Sequence, residues 1–122
     1  MPSTVTLLTY SYAEYTNATG QTIARGGFDP ILYVFNSTGM LMGVNNDGSP
    51  PQIPADSVTG QYADSYLQLA LNGGNYEVGI SQYDNFPNGP NLSDGFEEDG
   101  DHNFTLALFA PSGSTDYFWD WT

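Results

Sequence analysis

The sequence predicts an all-β fold, a two-sheet antiparallel β-sandwich or jelly roll with long calcium-binding loops. Three observations carry that expectation. Apolar and polar residues alternate through short runs, and no helical period survives beyond a turn or two. Fourteen Gly and eight Pro punctuate 122 residues and leave little room for long helices. Fourteen Asp and Glu stand against a single basic residue, Arg25. Those carboxylates gather in Gly- and Asn-rich loops rather than on helical faces, a pattern that suits oxygen-ligand binding of calcium.

The elements follow in order. Ser3 to Tyr12 is β-rich, with Val5 and Leu7 alternating against Thr4, Thr6 and Thr9. Asn17-Ala18-Thr19-Gly20 makes a turn before a short strand around Thr22 to Ala24. Ile31 to Phe35 and Met40 to Val44 are strands separated by Asn36-Ser37-Thr38-Gly39, a strong hairpin signal. After Asn45-Asn46-Asp47-Gly48 the chain carries Pro50, Pro51 and Pro54, so the stretch to Gln61 is a surface excursion and not a central strand. Asp64 to Leu71 turns at Asn72-Gly73-Gly74 and returns as Tyr76 to Tyr83, with Val78 and Ile80 on one face, which predicts a second hairpin. Asp84 to His102 is a long polar loop, of a length that is usually functional or held by a ligand. Asn103 to Phe109 and Asp116 to Trp121 supply the last strands. About eight short strands with turn signals between them fit the sandwich. No internal repeat or domain boundary is visible, so residues 1–122 read as one domain, with 115–122 a candidate exchanged C-terminal strand.

Composition narrows the function. A formal charge of −13 would repel itself strongly if left bare, so something positive is expected in the folded state. With one Arg and no Lys the chain cannot neutralise phosphates, which argues against nucleic acid and against an anionic membrane surface. No apolar run is long enough to cross a bilayer, and Met1 to Tyr10 has neither a charged leader nor a continuous apolar stretch. The absence of Cys suits a reducing cytosol as well as a secreted fold held by metal. Oxygen-ligand calcium modules of modest affinity fill where calcium is abundant, which places this chain outside the cell.

The motifs Gly27-Phe28-Asp29-Pro30, Asn46-Asp47-Gly48, Asp64-Ser65 and Gly74-Asn75-Tyr76-Glu77-Val78 together resemble a known family. Gln82-Tyr83-Asp84-Asn85-Phe86 and Asn91-Leu92-Ser93-Asp94-Gly95-Phe96 make the resemblance specific. They resemble the DVUA0089-type secreted bacterial domains and, more distantly, the bacterial pre-peptidase C-terminal domains, over roughly Thr4 to Thr105. The resemblance implies a calcium-stabilised, non-catalytic β-sandwich used as an extracellular accessory, adhesive or surface module. Family members usually carry a further strand before the segment that Ser3 to Tyr12 resembles. Its lack here implies an open slot, a template for a strand from elsewhere. The aromatic run Tyr117-Phe118-Trp119-Asp120-Trp121 of a neighbouring copy is the expected occupant, and such a head-to-tail contact propagates as a filament.

Calcium takes six to eight oxygens from carboxylates, Asn amides and backbone carbonyls. Asp29, Asn46, Asp47, Asp64 and Asp94 stand at strand ends or in tight turns where loops converge, and Asn17 and Asp84 are weaker members of the set. Asp and Asn also fill such turns by bonding their own backbone. Asp99-Gly100-Asp101-His102-Asn103 opens like an EF-hand loop, but Phe104 and Ala110 occupy the positions that need Gly and Glu. It reads as a solvated charge run, with a second calcium site as the alternative. His102 has no other His or Cys to join it in a transition-metal site.

Enzyme chemistry finds little footing: there is no Cys, no Lys and no Gly-x-Ser-x-Gly elbow, and carboxylate pairs such as Glu77 with Glu14 are cheap to find in so acidic a chain. The chain is read as a non-enzyme. Tyr10, Tyr12, Tyr15, Tyr62, Tyr83, Trp119 and Trp121 offer flat faces that could stack on glycans, which makes a carbohydrate-binding or accessory domain the alternative. Asn-x-Ser/Thr triplets occur at Asn17, Asn36, Asn91 and Asn103.

Overall fold

A computed structural model describes residues 1–100. The strands expected at 103–109 and 116–121, the exchanged segment 115–122, His102, Trp119 and Trp121 lie outside the described residues. Those described form an all-β structure of antiparallel sheets, with one short 3-10 turn and no α-helix.

Strand β1 (Ser3–Leu8) pairs with β6 (Tyr66–Leu71), and β2 (Tyr15–Thr16) with β3 (Thr22–Ile23). β4 (Pro30–Asn36) lies between β5 (Leu41–Asn45) and β7 (Tyr76–Gln82). The β4–β5 hairpin is the one expected from its Asn-Ser-Thr-Gly turn. The expected β6–β7 hairpin does not form. Although the chain turns at Asn72-Gly73-Gly74, β6 pairs with β1 from Ser3↔Leu71 to Leu8↔Tyr66, and β7 pairs with β4 from Pro30↔Gln82 to Asn36↔Tyr76.

The reason lies in β4. Pro30-Ile31-Leu32-Tyr33-Val34-Phe35 is a continuous apolar run and every one of its residues is buried. A strand buried on both faces has to be central and covered from two sides. Leu32 and Val34 pack with Leu67 and Leu71 of β6, and Val5, Leu7, Leu69 and Tyr76 close around them. On the opposite face Ile31, Tyr33 and Phe35 pack with Leu41, Tyr83, Phe86, Leu92 and Phe96. β6 approaches β5 so closely that a Cβ on Gly43 would stand 2.9 Å from a Leu69 methyl carbon, which explains a glycine inside a strand.

The long polar segment after β7 is therefore held by its own apolar residues. Phe86, Leu92 and Phe96 enter the core, with the Phe96 ring edge-on to Tyr33 at 5.4 Å. Its backbone is tied by a Pro87↔Phe96 bridge, by Glu97 N–H to Phe86 carbonyl at 2.9 Å, and by Leu41 N–H to Pro90 carbonyl at 2.7 Å. The Pro-rich stretch from Ser49 to Gln61 contains no strand, as expected, and drops Ile53 into the interior.

Candidate functional site

Antiparallel pairing brings four chain positions to one end of the central sheet. Asp29 precedes β4, Asn46 and Asp47 follow β5, Tyr62 precedes β6 and Tyr83 follows β7. The pairs Pro30↔Gln82 and Leu32↔Asn45 fix that alignment. The buried Ser65 hydroxyl lies 2.7 Å from the Pro30 carbonyl, 2.8 Å from that of Asn45 and 2.7 Å from that of Asn46, so it ties the entries of β4 and β6 to the exit of β5.

At this end Asp29, Asn46 and Asp47 line one polar cavity of about 230 Å³ together with Tyr12, Tyr62 and Tyr83. Three of the expected calcium ligands are thus neighbours. Asp29 is only 6% exposed, and a buried carboxylate is costly unless donors or a cation compensate it. Asn46 donates a long hydrogen bond from Nδ2 to Asp47 Oδ2 at 3.4 Å, while its buried Oδ1 accepts none. The buried Oε1 of Gln82, on the residue opposite Pro30, likewise accepts none. Carboxylate and amide oxygens gathered in this way match the donor chemistry of a hard cation. Among the described residues no group of three or more His, Cys, Asp or Glu is placed to hold a metal. An ion here would accordingly draw on Asn, backbone and water oxygens besides Asp29 and Asp47.

The remaining expected ligands do not line that cavity, and three of them, Asp64, Asp94 and Asn17, accept hydrogen bonds of their own. Asp64, 1% exposed, accepts four hydrogen bonds: Oδ1 from Thr9 Oγ1 at 2.9 Å, Ser11 N at 2.8 Å and Tyr12 N at 3.1 Å, and Oδ2 from Ala13 N at 2.9 Å. It folds the chain after β1 into place. Asp94 Oδ2 accepts from Asn91 N at 3.0 Å in the 3-10 turn Leu92–Asp94. Asp84 directly follows Tyr83 at the mouth of the long loop. Asn17 Oδ1 organises the β2–β3 turn.

One electrostatic feature escaped the sequence reading. Arg25, the chain's sole Lys or Arg, forks onto the fully buried Asp56, Nε to Oδ1 and Nη2 to Oδ2, the latter at 2.9 Å. Asp56 Oδ2 also accepts from Thr59 N and Thr59 Oγ1 at 2.8 and 2.9 Å. The Arg25 guanidinium, aided by the Thr59 and Val58 donors and opposed by burial, holds this carboxyl well below the usual carboxylate range. The pair pins the Pro-rich excursion to the segment after β3. A single base among so many acids was the available signal, but sequence distance hid which acid it meets.

A second feature is an incompletely covered face. Val78 and Ile80 of β7 pair with Val34 and Leu32, so they share the face that the β1–β6 ribbon covers. Yet they are 54% and 58% exposed. Because Gly43 of β5 meets Leu69 and Leu67, β6 lies over β5 and the ribbon stops short of β7. Among the described residues β1 pairs with β6 alone, which leaves its outer edge open.

No family model, curated protein or solved structure matches the chain. No helix among the described residues is long and apolar enough to cross a membrane.

Proposed function

We propose that the chain is an extracellular calcium-binding structural or adhesive module, a two-sheet β-sandwich that assembles head to tail with other copies by strand complementation. The observation that carries the calcium reading is the polar cavity at the end of the central sheet, where Asp29, Asn46 and Asp47 converge and the buried Asn46 Oδ1 has no hydrogen bond. These residues would hold the ion. Bound calcium would supply the positive charge that a chain of −13 lacks. Binding to the folded state in preference to the unfolded one stabilises it by mass action. The motif resemblance to secreted bacterial domains supports the same reading.

Assembly is supported by the edge of β1 that no described residue pairs with, and by the exposed Val78 and Ile80. Neighbouring strands lie about 4.8 Å apart, so one more strand on β1 would lie over β7 and cover both residues. The donor is Tyr117 to Trp121 of another copy, a segment with four aromatics in five residues. Each copy accepts at one place and donates from another, so the contact repeats without closing.

Chelation with EDTA should lower the melting temperature and open 28–30, 45–48 and 90–96 to protease; unchanged melting would remove the calcium reading. Electron microscopy should show filaments that need calcium. Deleting Tyr117 to Thr122 should abolish them and leave the EDTA response intact, and filaments persisting in that truncation would refute strand donation.

One observation favours a second reading. Tyr12, Tyr62 and Tyr83 line the same cavity as the acidic residues, and Tyr62 is partly exposed. A non-catalytic carbohydrate-binding or accessory domain would use these rings to stack on a sugar beside the cation. It predicts saturable glycan binding that is lost in Tyr62→Ala.

A further inference from the structure

We propose that Asn17 and Asn36 are acceptors for N-linked glycans, presented by two copies of the same turn, and that Asn91, in a third acceptor triplet, is not modified. The Asn-Ala-Thr-Gly turn joining β2 to β3 and the Asn-Ser-Thr-Gly turn joining β4 to β5 share one hydrogen-bond pattern. Asn17 Oδ1 accepts from Thr19 N at 3.1 Å, Thr19 Oγ1 at 2.7 Å and Gln21 N at 3.0 Å. Asn36 Oδ1 accepts from Thr38 N at 3.0 Å, Thr38 Oγ1 at 2.7 Å and Met40 N at 3.0 Å. Each turn closes on a glycine in the left-handed region, Gly20 at φ 84° and Gly39 at φ 81°.

This pattern orients the amide. With the carbonyl oxygen held by three donors, the planar group turns Nδ2 away from the turn. Asn17 Nδ2 makes only a long contact to Gln21 Oε1 at 3.4 Å, and Asn36 Nδ2 donates to no described residue. A sugar on Nδ2 replaces one N–H and leaves all three carbonyl bonds in place, so the folded turn accommodates it. Turn formation alone explains the Asn and the Gly. It does not require the threonine hydroxyl, because the Thr backbone N–H already reaches the same oxygen. That hydroxyl is the part an Asn-x-Ser/Thr acceptor needs, and it recurs in both turns.

The middle residue separates these triplets from the third, although Asn91 is itself exposed and Asn17 and Asn36 are half-buried. Ala18, Thr19, Gly20, Ser37 and Thr38 are all exposed, and a Cβ on Gly20 would meet nothing within 4 Å. In Asn91-Leu92-Ser93 the middle side chain packs with Ile31, Tyr33 and Phe35, and Leu92 N–H bonds the Gly39 carbonyl at 2.6 Å. Asn91 is itself bridged to Met40. A transferase has to draw the triplet into its cleft, and Leu92 anchors this one to the core, whereas Ala18 and Ser37 are exposed. Asn103 lies outside the described residues.

The reaction needs a partner enzyme and a glycosyl donor activated as a lipid-linked diphosphate. Asn Nδ2 bonds to the anomeric carbon, the bond from that carbon to the diphosphate oxygen breaks, and the lipid diphosphate departs with the electron pair. One Nδ2 proton is lost to base. This chain supplies the acceptor alone.

Peptide mapping by mass spectrometry tests the proposal on protein recovered from the cells that make it, before and after enzymatic release of N-glycans. The expected result is glycan mass on the peptides containing Asn17 and Asn36, conversion of both to Asp on release, and an unmodified Asn91. In Thr19→Ala and Thr38→Ala each glycan should vanish at its own site only, while Thr19→Ser and Thr38→Ser retain it and circular dichroism confirms the fold. Unmodified Asn17 and Asn36 would overturn the proposal. Occupancy of Asn91 equal to theirs would overturn its structural basis.

Discussion

The two faces of β4 are covered by different means. Leu32 and Val34 lie under a regular ribbon, β1 and β6, whose side chains Leu67 and Leu71 pack directly on them. Ile31, Tyr33 and Phe35 lie under irregular chain, held down by Phe86, Leu92 and Phe96. The irregular cover bonds much of its own backbone, through the Pro87↔Phe96 bridge and the link from Leu41 N–H to the Pro90 carbonyl. Among the described residues the regular cover ends in an unpaired edge, and Val78 and Ile80 are exposed. A loop that carries its own hydrophobic anchors can finish a face, whereas a strand layer remains open to another strand.

The largest expected effects come from cutting each cover's contact with β4. Phe35→Ala should cost about 3–5 kcal/mol and Leu32→Ala about 2–5 kcal/mol, read from urea unfolding midpoints. The comparison sharpens under limited proteolysis. Phe35→Ala should release 86–96 to cleavage, and Leu32→Ala should leave that segment protected. Release of the same segment by both variants would mean that the two faces open as one unit.

Asp64→Ala should come next, at about 3 kcal/mol, because it leaves buried donors of Thr9, Ser11, Tyr12 and Ala13 unmatched. Its cost should be the same with calcium and with EDTA, since its oxygens are already taken up by four donors. A cost that disappears in EDTA would make Asp64 a calcium ligand after all.

Acid should then weaken the pinned excursion. The folded-state pKa of Asp56 is depressed, so the stability it adds is fully present above the unfolded-chain value of about 4 and is lost as pH falls below it. Arg25→Gln should cost roughly 2 kcal/mol at neutral pH and flatten the stability profile at the acid end. A melting profile across pH 2 to 6 that is unchanged by Arg25→Gln would separate the pair from acid stability.

Much of this was legible in the sequence where the chain speaks locally. The β4–β5 hairpin follows from Asn36-Ser37-Thr38-Gly39, and the strand-free excursion follows from its prolines. Non-local pairing was not legible: the Asn72-Gly73-Gly74 turn looks like a hairpin, but only the demand of β4 for cover on both faces sends β6 and β7 into different sheets. The continuous apolar run from Ile31 to Phe35 was the signal for that. At the candidate site the residue types were readable and their partners were not. Asp29, Asn46 and Asp47 share a cavity, while Asp64, of the same type and also at a strand entry, is spent on backbone amides.

The smallest effect tests how the irregular cover is latched. Tyr33 Oη donates to the Asn85 carbonyl at 2.7 Å and lies beside Ser81 Oγ, so one phenol joins the floor of the core to the start of the loop. Tyr33→Phe keeps the ring against Phe96 and removes only the hydroxyl, at about 1 kcal/mol. Burial pushes the phenol pKa up, with Ser81 opposing and the charge of Glu97 adding to the rise. The folded state therefore keeps this proton longer than the unfolded chain does. The stability it adds is present below the ordinary tyrosine value of about 10 and is lost as pH rises beyond it. Ultraviolet titration should show one fewer late-ionising tyrosine in Tyr33→Phe than in the wild type. If alkali instead exposes the loop to protease at the same pH in both proteins, the latch lies in the Phe86, Leu92 and Phe96 side chains alone.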